Sequence, residues 1–203
     1  MSIHLPLSRL SQWQQITFCV ALLERMFPNY QLFSEAENFG DSKIVRNQLD
    51  LIWQWLDKNN RCKINFSAQL TKLEEQIPNP EHFDSFGVFP ALDVCMALMS
   101  LLQGMQDKDD EAFATVGHLS HNSVSYYVEL MLMQELDEKS VESTEVEISE
   151  LAINEHPLMQ WEQATQKELF DFMLDAPENK NTCIKAKALV LEEGISNLGI
   201  EIA

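Results

Sequence analysis

The chain has 203 residues, enough for one compact domain that buries a core without disulfides or a structural metal. Its 45% hydrophobic and 23% charged content excludes a disordered or collagen-like polymer, and 6 Gly and 7 Pro are few for a many-stranded sandwich. The net charge of −18, from 32 acids and 14 bases, argues against nucleic acid and an anionic membrane as partners, since both are gripped by clustered Lys and Arg.

Ser8 is placed to cap a helix running to about Phe27, where Pro28 stops it. Its stripe Ile16, Val20, Leu23, Phe27 has the spacing of one helical face. A second helix reads from about Asn29 to Phe39, closed by Gly40 in the left-handed position. Asp41 or Ser42 caps a third, with Val45, Leu49, Ile52 and Leu56 inward, ending at Asn59-Asn60. A short helix near Ser67–Gln76 precedes the breaker Ile77-Pro78-Asn79-Pro80. Pro90 stands in the first turn of the next helix, to about Gln106, which is apolar on nearly all sides and predicts a central position. A helical stretch then runs from the acidic turn Asp107–Asp110 to about Leu136, with Gly117 or Ser120–Ser123 as a kink or break.

Residues 137–150 read as an acidic, solvated connection, with a short extended piece at Val146–Ile148. A short helix follows near Ser149–Ile153. Another spans Pro157 to Leu174 and carries Leu158, Trp161, Thr165, Leu169 and Phe172 on one face. A last helix opens at Asn181 or Thr182, with the stripe Ile184, Ala188, Leu191, Ile195, Leu198 packed on the core. The reading is all-α: a single-domain, up-down-like bundle of eight or nine helices over residues 1–203.

Signatures of nucleotide binding, serine hydrolases and zincins (GxGxxG, a P-loop, GxSxG, HExxH) are missing from the sequence. His118 and His121, with Glu111 two turns earlier, have metal-ligand spacing, but such pairs are common by accident; the expectation is no metal and no cofactor. Asp93 is the single charge between Asp84 and Asp107: either a carboxyl with raised pKa that does acid–base work, or a first-turn acid favoured by the helix dipole. Arg46 and Asp50 are spaced to pair. Cys183, between Lys180 and Lys185, is either an activated thiol or a plain helix-start cysteine. Met96, Met99, Met105, Met131 and Met133 form either an adaptable groove or core filler. No charged leader precedes Ile16–Leu23, Val88–Met105 is too polar and short for a membrane span, and the four cysteines lack CxxC spacing. A cytoplasmic protein with free thiols is expected.

Several segments together resemble one family. Trp13-Gln14, Thr17-Phe18, Glu24-Arg25-Met26, Pro28-Asn29-Tyr30, Phe39-Gly40-Asp41, Leu49-Asp50-Leu51-Ile52-Trp53 and Glu74-Glu75-Gln76-Ile77-Pro78 look like the YjaG-like family of uncharacterised bacterial proteins. Phe83-Asp84, Gly87-Val88, Pro90-Ala91-Leu92-Asp93 and Ser196-Asn197-Leu198-Gly199-Ile200 extend the likeness, which thins between about 107 and 180. The resemblance implies an all-helical bundle in a bacterial cytoplasm and no particular reaction. It draws attention to Arg25, Asn29, Tyr30, Asp41, Arg46, Asp50 and Asp93, as caps and cross-links of the bundle or as the lining of a shared pocket.

Two function classes follow. The first is a non-enzymatic protein that binds an unknown protein partner or self-associates. Residues 106–203 hold 21 acids and 6 bases, a docking face for a basic partner or simply a self-repelling surface. The second is a small-molecule binder or enzyme whose polar pocket is built from Arg25, Asp41, Arg46, Asp50 and Asp93.

Overall fold

Ser11, not Ser8, starts the first helix. Its hydroxyl accepts from the Gln14 N–H while the Gln14 side chain accepts from the Ser11 N–H, a reciprocal cap. Ser8 lies one step earlier, in a 3-10 turn at Leu7–Arg9. In the computed structural model, which describes residues 5–138 and 148–202, α1 then runs unbroken from Gln12 to Glu37. The stop expected at Pro28 does not occur. Proline leaves the Glu24 carbonyl without its helical donor, a defect of about 3 kcal/mol. Tyr30 and Phe33 are both buried by continuing the helix, and burying each stabilises by about 1.5–3 kcal/mol, so burial wins.

Asn38 takes the left-handed position at the end of α1 (φ 52°), and Gly40 follows with φ 65°. Glycine is required there twice over: a Cβ on Gly40 would lie 2.4 Å from the Tyr30 hydroxyl. Asp41 then caps α2 (Ser42–Leu56), accepting from the Lys43 N–H. Val45, Leu49, Ile52 and Leu56 are fully buried, as their spacing predicts. Asn65 caps α3 (Phe66–Glu74), and a 3-10 turn at Pro80–His82 leads into α4 (Val88–Asp107).

The stretch expected to kink is one helix, α5 (Asp110–Glu138). Gly117 does not break it. Its missing side chain lets Gln166 approach, since a Cβ would stand 3.1 Å from Gln166 Oε1. Of the extended piece expected at Val146–Ile148 only Ile148 is described, in no strand, and most of the acidic connection lies outside the described residues. Ser149 caps α6 (Glu150–Glu155), α7 spans Pro157–Leu174, and Asn179 caps α8 (Lys180–Val190).

Two faces differ from expectation. On α7 Thr165 and Leu169 are buried as expected, together with Met159, Glu162, Gln166, Phe170 and Met173; Leu158, Trp161 and Phe172 are only half-buried. The polar Glu162 and Gln166 point inward because they meet charged and polar groups of α1 and α5, described below. On α8 the buried row is Thr182, Cys183, Ala186 and Val190, whereas Ile184 is 59% exposed and Ala188 faces solvent. The helix ends at Val190, so Ile195 and Leu198 belong to a separate C-terminal turn in which Ile195 pairs with Glu201.

Eight α-helices and no strand occur among the described residues. The main core is centred on α1, which packs on α2, α4, α5, α7 and α8, while α4 and α5 form a hairpin beside it. Val124, Val128, Met159 and Leu198 make a smaller satellite cluster. Among the described residues α4 is the one helix long and apolar enough to cross a membrane, contrary to the expectation that it is too short, and most of it is buried against its neighbours.

Candidate functional site

The seven residues singled out from the sequence fall at four separate places. Arg25 is 1% exposed in the middle of α1. Its Nη1 donates to Glu162 Oε2 on α7, and its guanidinium lies 3.8 Å from the centre of the Trp161 ring. Glu162 Oε1 accepts from Ser120 Oγ (2.6 Å) and Gln166 Nε2 (2.7 Å). Burial pulls the Arg25 pKa down against the opposing pull of Glu162. Asn197 of the C-terminal turn donates its Nδ2 to the Ser120 carbonyl (3.3 Å) and hydroxyl (3.2 Å), and its Oδ1 accepts from Asn29 Nδ2 at 2.8 Å. Arg25 and Asn29 therefore share one buried polar chain that ties α1, α5, α7 and the C-terminal turn.

Tyr30 and Asp41 meet elsewhere, around Gln76. The Tyr30 hydroxyl donates to the Gln76 carbonyl (3.0 Å), while Gln76 Oε1 accepts from the Asp41 N–H (2.7 Å). Asp41 is thus a helix cap fastened to the end of α3. Arg46 and Asp50 form a third group with Glu24 of α1. Arg46 grips both Glu24 oxygens at 2.6 and 2.7 Å and pairs with Asp50 at 2.8 Å. Trp53 Nε1 and Lys187 also reach Glu24 Oε1, at 2.7 and 3.0 Å. Burial alone would raise the Glu24 pKa, but Arg46 and Lys187 together hold it below the ordinary carboxylate range.

Asp93 stands alone on the α4–α5 hairpin. The helix begins at Val88, so Asp93 is its sixth residue, beyond the first turn where the dipole would favour it. Its Oδ2 accepts from Ser123 Oγ at 2.6 Å, yet burial outweighs that bond and pushes the pKa up to about 6. Phe89 and Met96 flank it on the same face of α4, and Tyr126 stands one turn beyond Ser123 on α5. These three are 46%, 39% and 51% exposed. A desolvated carboxylate ringed by exposed apolar side chains is a surface suited to binding.

A protein-family model described as "Protein of unknown function (DUF416)" matches residues 2–201. The chain belongs to this family. The DUF416 sequence is 37% identical to the "Uncharacterized protein YjaG" of Escherichia coli K12 over 201 residues, covering 98% of this chain and 95% of the relative. It is 34% identical to an "Uncharacterized protein" of Haemophilus influenzae Rd over 203 residues, 98% and 96% of the two chains. The crystal structure of a DUF416 family protein from Shewanella baltica OS155 superposes with a TM-score of 0.82 at 29% identity, covering 98% of this chain and all of that one.

Other candidate chemistry in this DUF416 chain resolves as follows. His118 is exposed and His121 half-buried, and among the described residues no three His, Cys, Asp or Glu side chains are grouped to hold a metal. All four cysteines are unpaired. Cys183 is buried, and burial with Asp57 nearby pushes its thiol up to about 11, the opposite of activation. The methionines divide: Met105 is core, Met99 and Met131 half-buried, Met96 and Met133 exposed. Sequence reading missed Glu24, Gln76, Ser120, Glu162 and Asn197 as partners. The signal that Glu24 and Arg25 need partners is their place inside the apolar run from Ile16 to Tyr30; which distant residues answer them is set by tertiary packing.

Proposed function

We propose that this protein acts by binding rather than catalysis, and that it docks a basic protein segment on the outer face of the α4–α5 hairpin. One observation carries this: Phe89, Met96 and Tyr126 stand exposed around the half-buried Asp93. Apolar anchors around a carboxylate suit a Lys or Arg flanked by apolar residues. Long-range charge favours the same partner, because residues 109–166 contain 13 acids and one lysine. The polar-pocket alternative loses its support, since Arg25, Asp41, Arg46, Asp50 and Asp93 do not converge and Arg25 and Arg46 are tied to carboxylates of their own chain.

The test is affinity capture from the native bacterium with wild type, Phe89→Ser and Asp93→Asn in parallel. A partner held by wild type should be released as salt rises from about 50 to 300 mM, where the Debye length falls from roughly 14 to 6 Å, and both variants should lose it. A partner that ignores salt and both substitutions removes this reading. Self-association through the same apolar residues is the second reading; sedimentation of wild type and Phe89→Ser separates the two.

A further inference from the structure

A concave site lies where α1, the start of α4, α5 and the C-terminal turn meet. It is a cavity of about 320 Å³, at the small end of the range for ligand pockets. Phe33, Phe86 and Tyr127 supply aromatic walls, with the Phe86 and Tyr127 rings 5.9 Å apart, and Leu198 adds an aliphatic one. Besides Glu37, the polar side chains Asn29 and Ser85 interrupt this lining.

Both carry a buried oxygen that makes no hydrogen bond among the described residues: Asn29 Oδ1 and Ser85 Oγ. Asn29 is 3% exposed, and its orientation is dictated from the core. The Ser120 carbonyl can only accept, so the amide of Asn197 must turn its Nδ2 to Ser120. Ser120 Oγ spends its proton on Glu162 and likewise accepts from Asn197. Asn197 Oδ1 is then left facing Asn29, which must answer with its own Nδ2. The polar atom that Asn29 leaves unmet is therefore an acceptor. An unmet buried acceptor costs about 1–3 kcal/mol, which a donor brought by a ligand would relieve.

We propose that this cavity binds a small, uncharged aromatic molecule that carries an N–H or O–H donor. The donor meets Asn29 Oδ1, the ring lies among Phe33, Phe86 and Tyr127, and Ser85 Oγ serves a second polar atom, as donor or acceptor. Charge selects against acids. Glu37 is the one charged side chain in the lining, and no base offsets it. The buried polar chain from Arg25 to Asn197 acquires a purpose under this assignment: it fixes which face of the Asn29 amide the ligand sees.

The probes are indole, which has the donor, and 1-methylindole, which keeps the ring and blocks it. Binding is followed by ¹H–¹⁵N NMR titration of the full chain. Indole should shift the Asn29 side-chain amide and neighbouring backbone signals saturably, and bind roughly tenfold or more tightly than 1-methylindole, the effect of one hydrogen bond worth about 1.4 kcal/mol. Asn29→Leu should abolish that preference. Should Asn29→Leu not fold, benzyl alcohol against its methyl ether on wild type makes the same comparison. Equal affinity for the two indoles, shifts confined to residues outside the cavity, or no saturable binding overturns the proposal.

Discussion

Arg25 and Glu162 are opposite charges removed from water together, a pair whose breaking costs more than its making gains. Glu162→Ala should therefore cost about 3–5 kcal/mol in urea unfolding, because it strands the Arg25 charge. The joint change Arg25→Met with Glu162→Met should recover much of that loss. Asp93 behaves oppositely: its folded pKa of about 6 lies above the ordinary value of about 3.9. Below about pH 4 both folded and unfolded chains hold the proton and there is no penalty; between about pH 4 and 6 the unfolded chain releases it first, so stability falls as pH rises, and above that window the penalty is constant. Asp93→Asn, which can still accept from Ser123, should raise stability by about 1–2 kcal/mol at pH 7.5, after allowance for solvent screening at its exposed edge, and by little at pH 4. Thermal melts at both pH values check this. A stabilising change in a residue the wild type retains points to a use for the carboxylate beyond folding.

Among the helices, α2 and α8 make the contrast that tests how far periodicity can be trusted. Leu49→Ala on α2 should cost about 2–5 kcal/mol, the range for emptying a buried site, while Ile184→Ala on α8 should stay within about 0.5 kcal/mol. Leu191→Ala should fall below the buried-site range, since Leu191 sits half-buried beyond the end of α8. Paired denaturant titrations measure all three. The stripe on α2 was legible in the sequence because every inward residue is apolar. That on α8 was not, because Thr182 and Ala186 face inward while an isoleucine faces out. On α7 the inward row includes Glu162 and Gln166, which an apolar pattern discards by construction. Pro28 misled in another way: its rule is local, and the burial that overrides it comes from helices distant in sequence. The cap at Asp41 or Ser42, the short helix near Ser149 and the start of α7 were readable because those signals reside within a few residues. Asn29 and Arg25 stood out by residue type and by family resemblance; the partners that orient them lie on α5, α7 and the C-terminal turn and leave no local trace.

At the scale of the whole molecule, the C-terminal turn closes the fold. Ser196 and Asn197 are fully buried, and the Asn197 N–H donates to the Arg25 carbonyl at 3.2 Å. A chain ending at Glu193 should keep its far-UV helical signal yet bind the dye ANS and lose its sharp melt, because Asn29, Ser120 and the satellite core then lack their partner. The order of manufacture follows from the same placement. Helix α1 is made before α7, α8 and Asn197, which finish covering it. At about 5–20 residues per second, roughly 10–30 s separate the emergence of α1 from that of Asn197. Throughout that interval an apolar helix of 26 residues waits on the ribosome without its full complement of neighbours. Nascent chains of this protein should accordingly expose apolar surface of α1 until Asn197 has emerged.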